Sequence, residues 1–78
     1  MTEPQPPAGN AEAAACHQRG LELLQGDQAS LGLAELERAV MLDPANAEFL
    51  KSLGNARKAA GDLVGAMASF RRAVMLSP

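Results

Sequence analysis

The run Arg-Ala-Val-Met-Leu-Asp-Pro occupies residues 38–44, and Arg-Ala-Val-Met-Leu-Ser-Pro occupies residues 72–78. The two differ at one position and lie 34 residues apart, an offset that Gly20 and Gly54 share. A match of this length at a single spacing is improbable by chance, so the chain carries an internal repeat of that period. Each copy ends on a residue followed by proline, and the residue before a proline is driven out of helical geometry. Upstream of Pro44, Leu33, Leu36 and Val40 recur at i, i+3 and i+7, the spacing of an apolar helix face. The repeated unit is therefore helical and stops at its proline.

Reading outward predicts four helices. The first spans residues 11–25, with Asn10 as its cap and Gly26-Asp27 as its break. The second spans about 30–42, with Asp27 and Ser30 as candidate caps and Asp43-Pro44 as its stop. The third, about 47–60, starts at Asn46 and ends at Gly61-Asp62, with Leu50, Leu53 and Gly54 on one face. The fourth spans about 63–76, with Leu63, Ala66, Met67, Phe70, Ala73 and Val74 on its apolar side. Gly26-Asp27 comes one residue earlier in its unit than Gly61-Asp62. This predicts a longer first turn or an earlier end to the first helix. Residues 1–9 hold Pro4, Pro6 and Pro7 and read as a disordered or polyproline-like tail. The organisation is thus a tail, a first hairpin over 10–44 and a second over 45–78. The fold class is all-α, with four helices in antiparallel helix-turn-helix repeats.

Composition narrows the function. The 78 residues are 47% hydrophobic, rich in alanine and poor in β-branched side chains, which favours helix over strand. Seven basic against nine acidic residues leave no cationic excess to attract a nucleic-acid backbone. One cysteine cannot form an internal disulfide, and one histidine cannot make a histidine-rich metal site. No apolar run approaches the roughly 20 residues of a membrane span. The N-terminus carries Glu3 and prolines where a secretory signal has a positive end and an apolar middle. A cytoplasmic protein without cofactor, nucleic-acid partner or membrane partner is expected.

The second unit resembles the tetratricopeptide repeat family, whose unit is a 34-residue helix-turn-helix. Leu53-Gly54 matches its Leu-Gly pair, Leu50 stands at its large-aromatic place, and Gly61-Asp62 forms the turn. Ala66, Phe70 and Ala73 give its small-large-small series, and Pro78 closes the unit. Arg57 departs from it, standing where tyrosine is usual. The first unit is looser: Cys16 takes the large-aromatic place, Arg19-Gly20 replaces Leu-Gly, and Leu23 stands in for the tyrosine. Gly32, Leu36 and Ala39 repeat the small-large-small series. The resemblance implies an α-solenoid. Independently of it, the small residues let helix backbones approach closely, and Leu36 and Phe70 fill the space between paired helices.

The resemblance also implies that the first helix of each pair lines a groove for a peptide or partner protein. Carried over, that groove holds His17, Gln18, Leu21, Lys51, Ser52, Asn55 and Lys58. Lys51, Asn55 and Lys58 lie at i, i+4 and i+7, and so on one face. Lys51 and Asn55 are similar to the start of the family's clamp for acidic C-terminal tails, but its further donors are absent. His17 reads as a groove residue or as an ordinary exposed helix histidine. Cys16 reads as a small buried hydrophobe, because adjacent helical residues point about 100° apart and no third group orients Cys16 and His17 as a catalytic pair. No catalytic or metal-binding set is assigned, and the chain is not expected to be an enzyme. The alternatives are an N-terminal arm of a larger, transferase-like enzyme and a self-assembling helical scaffold. Stable arrays need about three or more units and a polar cap. The helix-four face carrying Met67, Val74 and Met75 is therefore expected to be covered by a further segment of a longer protein or by a homo-oligomer partner.

Overall fold

A computed structural model describes residues 8–77, with side chains from residue 11 onward. Of the tail expected over 1–9, residues 1–7 lie outside the described residues, as does the closing Pro78, while Ala8 and Gly9 belong to the first helix and not to the tail. Four helices account for the fold: α1 (Ala8–Gln25), α2 (Ala29–Leu42), α3 (Ala47–Ala59) and α4 (Leu63–Leu76). There is no strand among the described residues. α1 folds back on α2, α3 on α4, and α2 packs on α3. α1 reaches α3 over a short stretch, and α4 rests against α3 alone among the described helices.

The helix starts differ in how they are satisfied. Asn46 caps α3 as expected, its Oδ1 accepting from the Phe49 N–H at 3.0 Å. Asp62, read from sequence as part of a break, caps α4 by accepting from the Gly65 N–H at 2.9 Å. Asn10 does not cap α1. The helix begins at Ala8, and Asn10 falls inside its first turn. Neither Asp27 nor Ser30 caps α2, which starts after Gln28 with no side-chain capping bond.

Asp27 instead closes α1. It sits in the left-handed region at φ 67°, the place Gly61 takes at φ 87° after α3. Gln28 N–H bonds to the Leu23 carbonyl at 2.9 Å, and Asp62 N–H to the Arg57 carbonyl at 2.8 Å. Asp27 N–H reaches Leu24 O, and Gly61 N–H reaches Lys58 O. Both ends are Schellman caps, and every bond has its counterpart 34 residues on. The displaced Gly-Asp pairs therefore do not displace the helices. The first turn is no longer than the second, and α1 does not end early. Aspartate tolerates the left-handed conformation better than most residues but less well than glycine.

The core joins Ala13 and Cys16 of α1, Leu36, Ala39 and Val40 of α2, and Phe49, Leu50, Leu53 and Ala56 of α3, with Ala73 of α4. At the α1–α2 crossing a β-carbon on Gly32 would stand 2.8 Å from the Gly20 carbonyl oxygen and 3.1 Å from the Leu24 nitrogen. One on Gly20 would stand 2.8 Å from Leu36 Cγ. At the α3–α4 contact the Phe70 ring lies where a Gly54 β-carbon would be, within 2.7 Å. Leu36 is fully buried, but Phe70 is only half-buried. Of the apolar side expected for α4, Ala66 and Ala73 are buried, whereas Leu63, Met67 and Val74 are exposed. That side is wider than one neighbouring helix can cover.

Gly32→Ala should lower stability by about 1–3 kcal/mol through forced separation of two backbones. This outweighs the gain of about 1 kcal/mol in helix propensity. A denaturant midpoint at or above that of the parent chain would refute the crossing geometry. Asp27→Gly should act in the opposite sense, raising stability by roughly 0.5–1 kcal/mol through relief of the left-handed aspartate. Thermal melting of the two variants side by side checks both signs.

Candidate functional site

The residues singled out on α1 and α3 fall into two groups. His17 and Ser52 meet: Nε2 and Oγ share a hydrogen bond of 2.8 Å. The His17 ring also stacks on Phe49, with centroids 4.6 Å apart and planes 24° from parallel. His17 is therefore a half-buried strut between the first and third helices, rather than an ordinary exposed histidine. Leu21 is half-buried against the core, and Gln18 is exposed, its Nε2 donating to Glu22 Oε2 at 3.5 Å along α1.

Lys51, Asn55 and Lys58 form the second group. All three are exposed on α3, and neither lysine joins an ion pair among the described residues. Asn46 and Gly54 position them, the first by starting the helix in register, the second by letting α3 lie close on Phe70. Such a row can offer charge-assisted and directional donors to an acceptor lying along the helix. It does not converge with His17, which is engaged with Ser52.

Cys16 is 1% exposed. Burial, and after it the neighbouring Glu35 carboxylate, push its thiol above the ordinary value, while Arg38 and Arg19 pull the other way by less. A buried, protonated thiol is a poor nucleophile. One Glu35 carboxylate oxygen is itself buried without a hydrogen-bond partner. No group of three or more metal-ligating side chains forms among the described residues, and no helix there is long and apolar enough to cross a membrane.

Two features were not singled out from sequence. Arg57, noted from sequence only as a departure from the tyrosine place, donates to Ser69 Oγ at 2.8 Å and to the Gly65 carbonyl at 3.4 Å, and stands 3.6 Å from Glu37 Oε2. Ser69 is buried, so Arg57 satisfies a hydroxyl that would otherwise be costly. The second is an open groove of about 540 Å³ between α3 and the end of α4, lined by Ala47, Lys51, Phe70, Ala73 and Val74 among others. The departure from the tyrosine place at Arg57 was the available signal for the first. The uncovered Val74 was the signal for the second. Arg38 pairs with Glu12 at 3.1 Å, but both are well exposed, and such a pair contributes little.

Comparison with protein-family models, with curated proteins and with solved structures finds no match for this chain.

The thiol makes a pH prediction. Its folded pKa is raised, so folding disfavours the thiolate. The associated stability is complete below the unfolded thiol value of about 8.5 and is lost as pH rises through the folded pKa. Between neutral and strongly alkaline pH the parent chain should lose urea resistance faster than Cys16→Ala. Parallel curves for the two would refute the buried, carboxylate-flanked thiol.

Proposed function

We propose that this chain is a protein-interaction module of the tetratricopeptide repeat kind. In this reading two helical hairpins of an α-solenoid present their first helices to a peptide or partner protein. The observation that carries the reading is the coincidence of backbone hydrogen bonds with the sequence period. The caps of α1 and α3, the first bonds of α2 and α4, and the stops at Asp43 and Ser77 recur 34 residues apart. A matched pair of hairpins sets α1 and α3 side by side, as the His17–Ser52 bond and the His17–Phe49 stack require.

The contact surface is the exposed row Lys51, Asn55 and Lys58, with Gln18 on the neighbouring helix. His17, Ser52 and Leu21 lie apart from that row, His17 and Ser52 joining α1 to α3 and Leu21 packing against the core. The role read for this surface is binding; the buried thiol, its pKa raised, offers no nucleophile to it. Peptides selected from a random library against the full chain provide the test. Lys51→Glu, Asn55→Ala and Lys58→Glu sit at exposed positions and should leave the helical circular dichroism unchanged. The charge reversals should weaken selected peptides by about tenfold or more, equivalent to about 1.4 kcal/mol. Peptides that bind all three variants as tightly as the parent would refute the α3 row as the contact surface.

A further inference from the structure

The two hairpins match in backbone, but the outward face of α4 differs from that of α2. Along α4, Val64, Met67, Arg71 and Met75 recur at i, i+3, i+7 and i+11, and so share one face. That face lies about half a turn from Ala66, Ser69 and Ala73, the residues that α4 buries. All four are exposed, Val64 at 80% and Met75 at 75%. Leu63 and Arg72 flank them and are exposed too. None of these six residues lines the groove between α3 and α4.

Thirty-four residues earlier the same face reads Ser30, Leu33, Glu37 and Met41, with Ala29 and Arg38 at its flanks. Val64 thus stands in the place of a serine, Leu63 in that of an alanine and Arg71 in that of a glutamate. α2 holds two glutamates and one arginine, whereas α4 holds two arginines and no carboxylate. Asp62, just ahead of α4, is engaged in accepting from the Gly65 N–H. The outward face of α4 is therefore both more apolar and opposite in charge to its copy on α2.

We propose that this face rests on the surface of a bilayer containing anionic lipid. Val64, Met67 and Met75 enter the boundary between headgroups and acyl chains, and α4 lies in the membrane plane. Arg71 and Arg72 extend along that apolar surface to the lipid phosphates, which a guanidinium fork can hold by two hydrogen bonds. α4 rests against α3 alone among the described helices, so its far side is outermost. No described helix is long and apolar enough to cross a membrane, and the contact is interfacial. The absence of a spanning run and of a secretory signal, from which no membrane partner was expected, does not bear on a helix that lies flat.

A second copy of the chain is a poor occupant. Two such faces brought together would bury Arg71 of each copy at the middle of the contact, with no carboxylate on either α4 to receive it. An unpaired buried guanidinium is costly. The proposal does not rest on the peptide-binding reading, whose contact row lies on α3.

The chain has no tryptophan, so Val64→Trp supplies a reporter on the face. With vesicles of phosphatidylcholine containing about 30% phosphatidylserine, its emission should shift to the blue and be quenched by brominated acyl chains. Phosphatidylcholine alone should produce neither change. In flotation of the otherwise unaltered chain, Arg71→Glu with Arg72→Glu should lower partitioning onto the anionic vesicles by about tenfold or more. Met75→Asp should also lower it, and added salt should weaken the parent chain's binding. Lys58→Glu, on the α3 row, should change it far less. All these positions are exposed, so helical circular dichroism should be unchanged. An unshifted reporter, equal binding to neutral vesicles, or binding that ignores the arginine reversals overturns the proposal. So does sedimentation showing a dimer that Met75→Asp converts to monomer, which assigns the face to a second copy.

Discussion

Two backbones in contact at Gly20 and Gly32 set the geometry of the first hairpin. Each glycine stands where a β-carbon would meet the other's carbonyl oxygen, at 3.0 Å from one side and 2.8 Å from the other. That approach brings Leu36 beneath Gly20 and leaves Ala13, Cys16 and Leu36 without solvent exposure of any consequence. The floor so formed is what α3 rests on. The second hairpin meets the same need differently. Ala66 replaces Gly32, and the Phe70 ring rather than a leucine lies on Gly54. Close packing of this sort tolerates little change in volume, so the small residues constrain the fold more tightly than the apolar periodicity does.

The helices were legible because their stops are chemical. Asp43-Pro44 and Asn46 mark the α2–α3 boundary without ambiguity, and α4 spans the residues expected of it. The α1–α2 turn misled because composition and conformation separated there. A glycine next to an aspartate suggests that the glycine takes the left-handed position, yet Asp27 takes it. Chain closure through the Gln28–Leu23 bond fixes which residue must adopt positive φ, and Gly26 is one place too early. The start of α1 was set too late for a related reason. A good capping residue is only a candidate, and here the helix runs back through Gly9 to Ala8 in spite of glycine's low propensity.

The site was less legible than the fold. Residues that face the same way on one helix could be grouped from spacing alone, as Lys51, Asn55 and Lys58 were. Contacts between helices could not. The bond joining His17 to Ser52 depends on how α1 and α3 lie, and its stack on Phe49 turns a histidine read as exposed into part of the core's edge. The period did point to an uncovered face on α4, and Val74 bears the uncovering out.

Arg57 has a consequence for α4 that apolar packing alone would not supply. α4 carries exposed Leu63, Val64, Met67, Val74, Met75 and Leu76 in addition to its buried alanines. A helix greasy around most of its circumference, and held by a single neighbour, could roll about its own axis and still bury comparable area. The guanidinium bonded to Ser69 Oγ restricts that freedom, since rolling the helix breaks this charge-assisted bond. By also standing near Glu37 of α2, it orients the terminal helix relative to both its neighbour and the hairpin beyond. One hydrophilic side chain thus selects among rotational isomers that hydrophobicity leaves nearly equal.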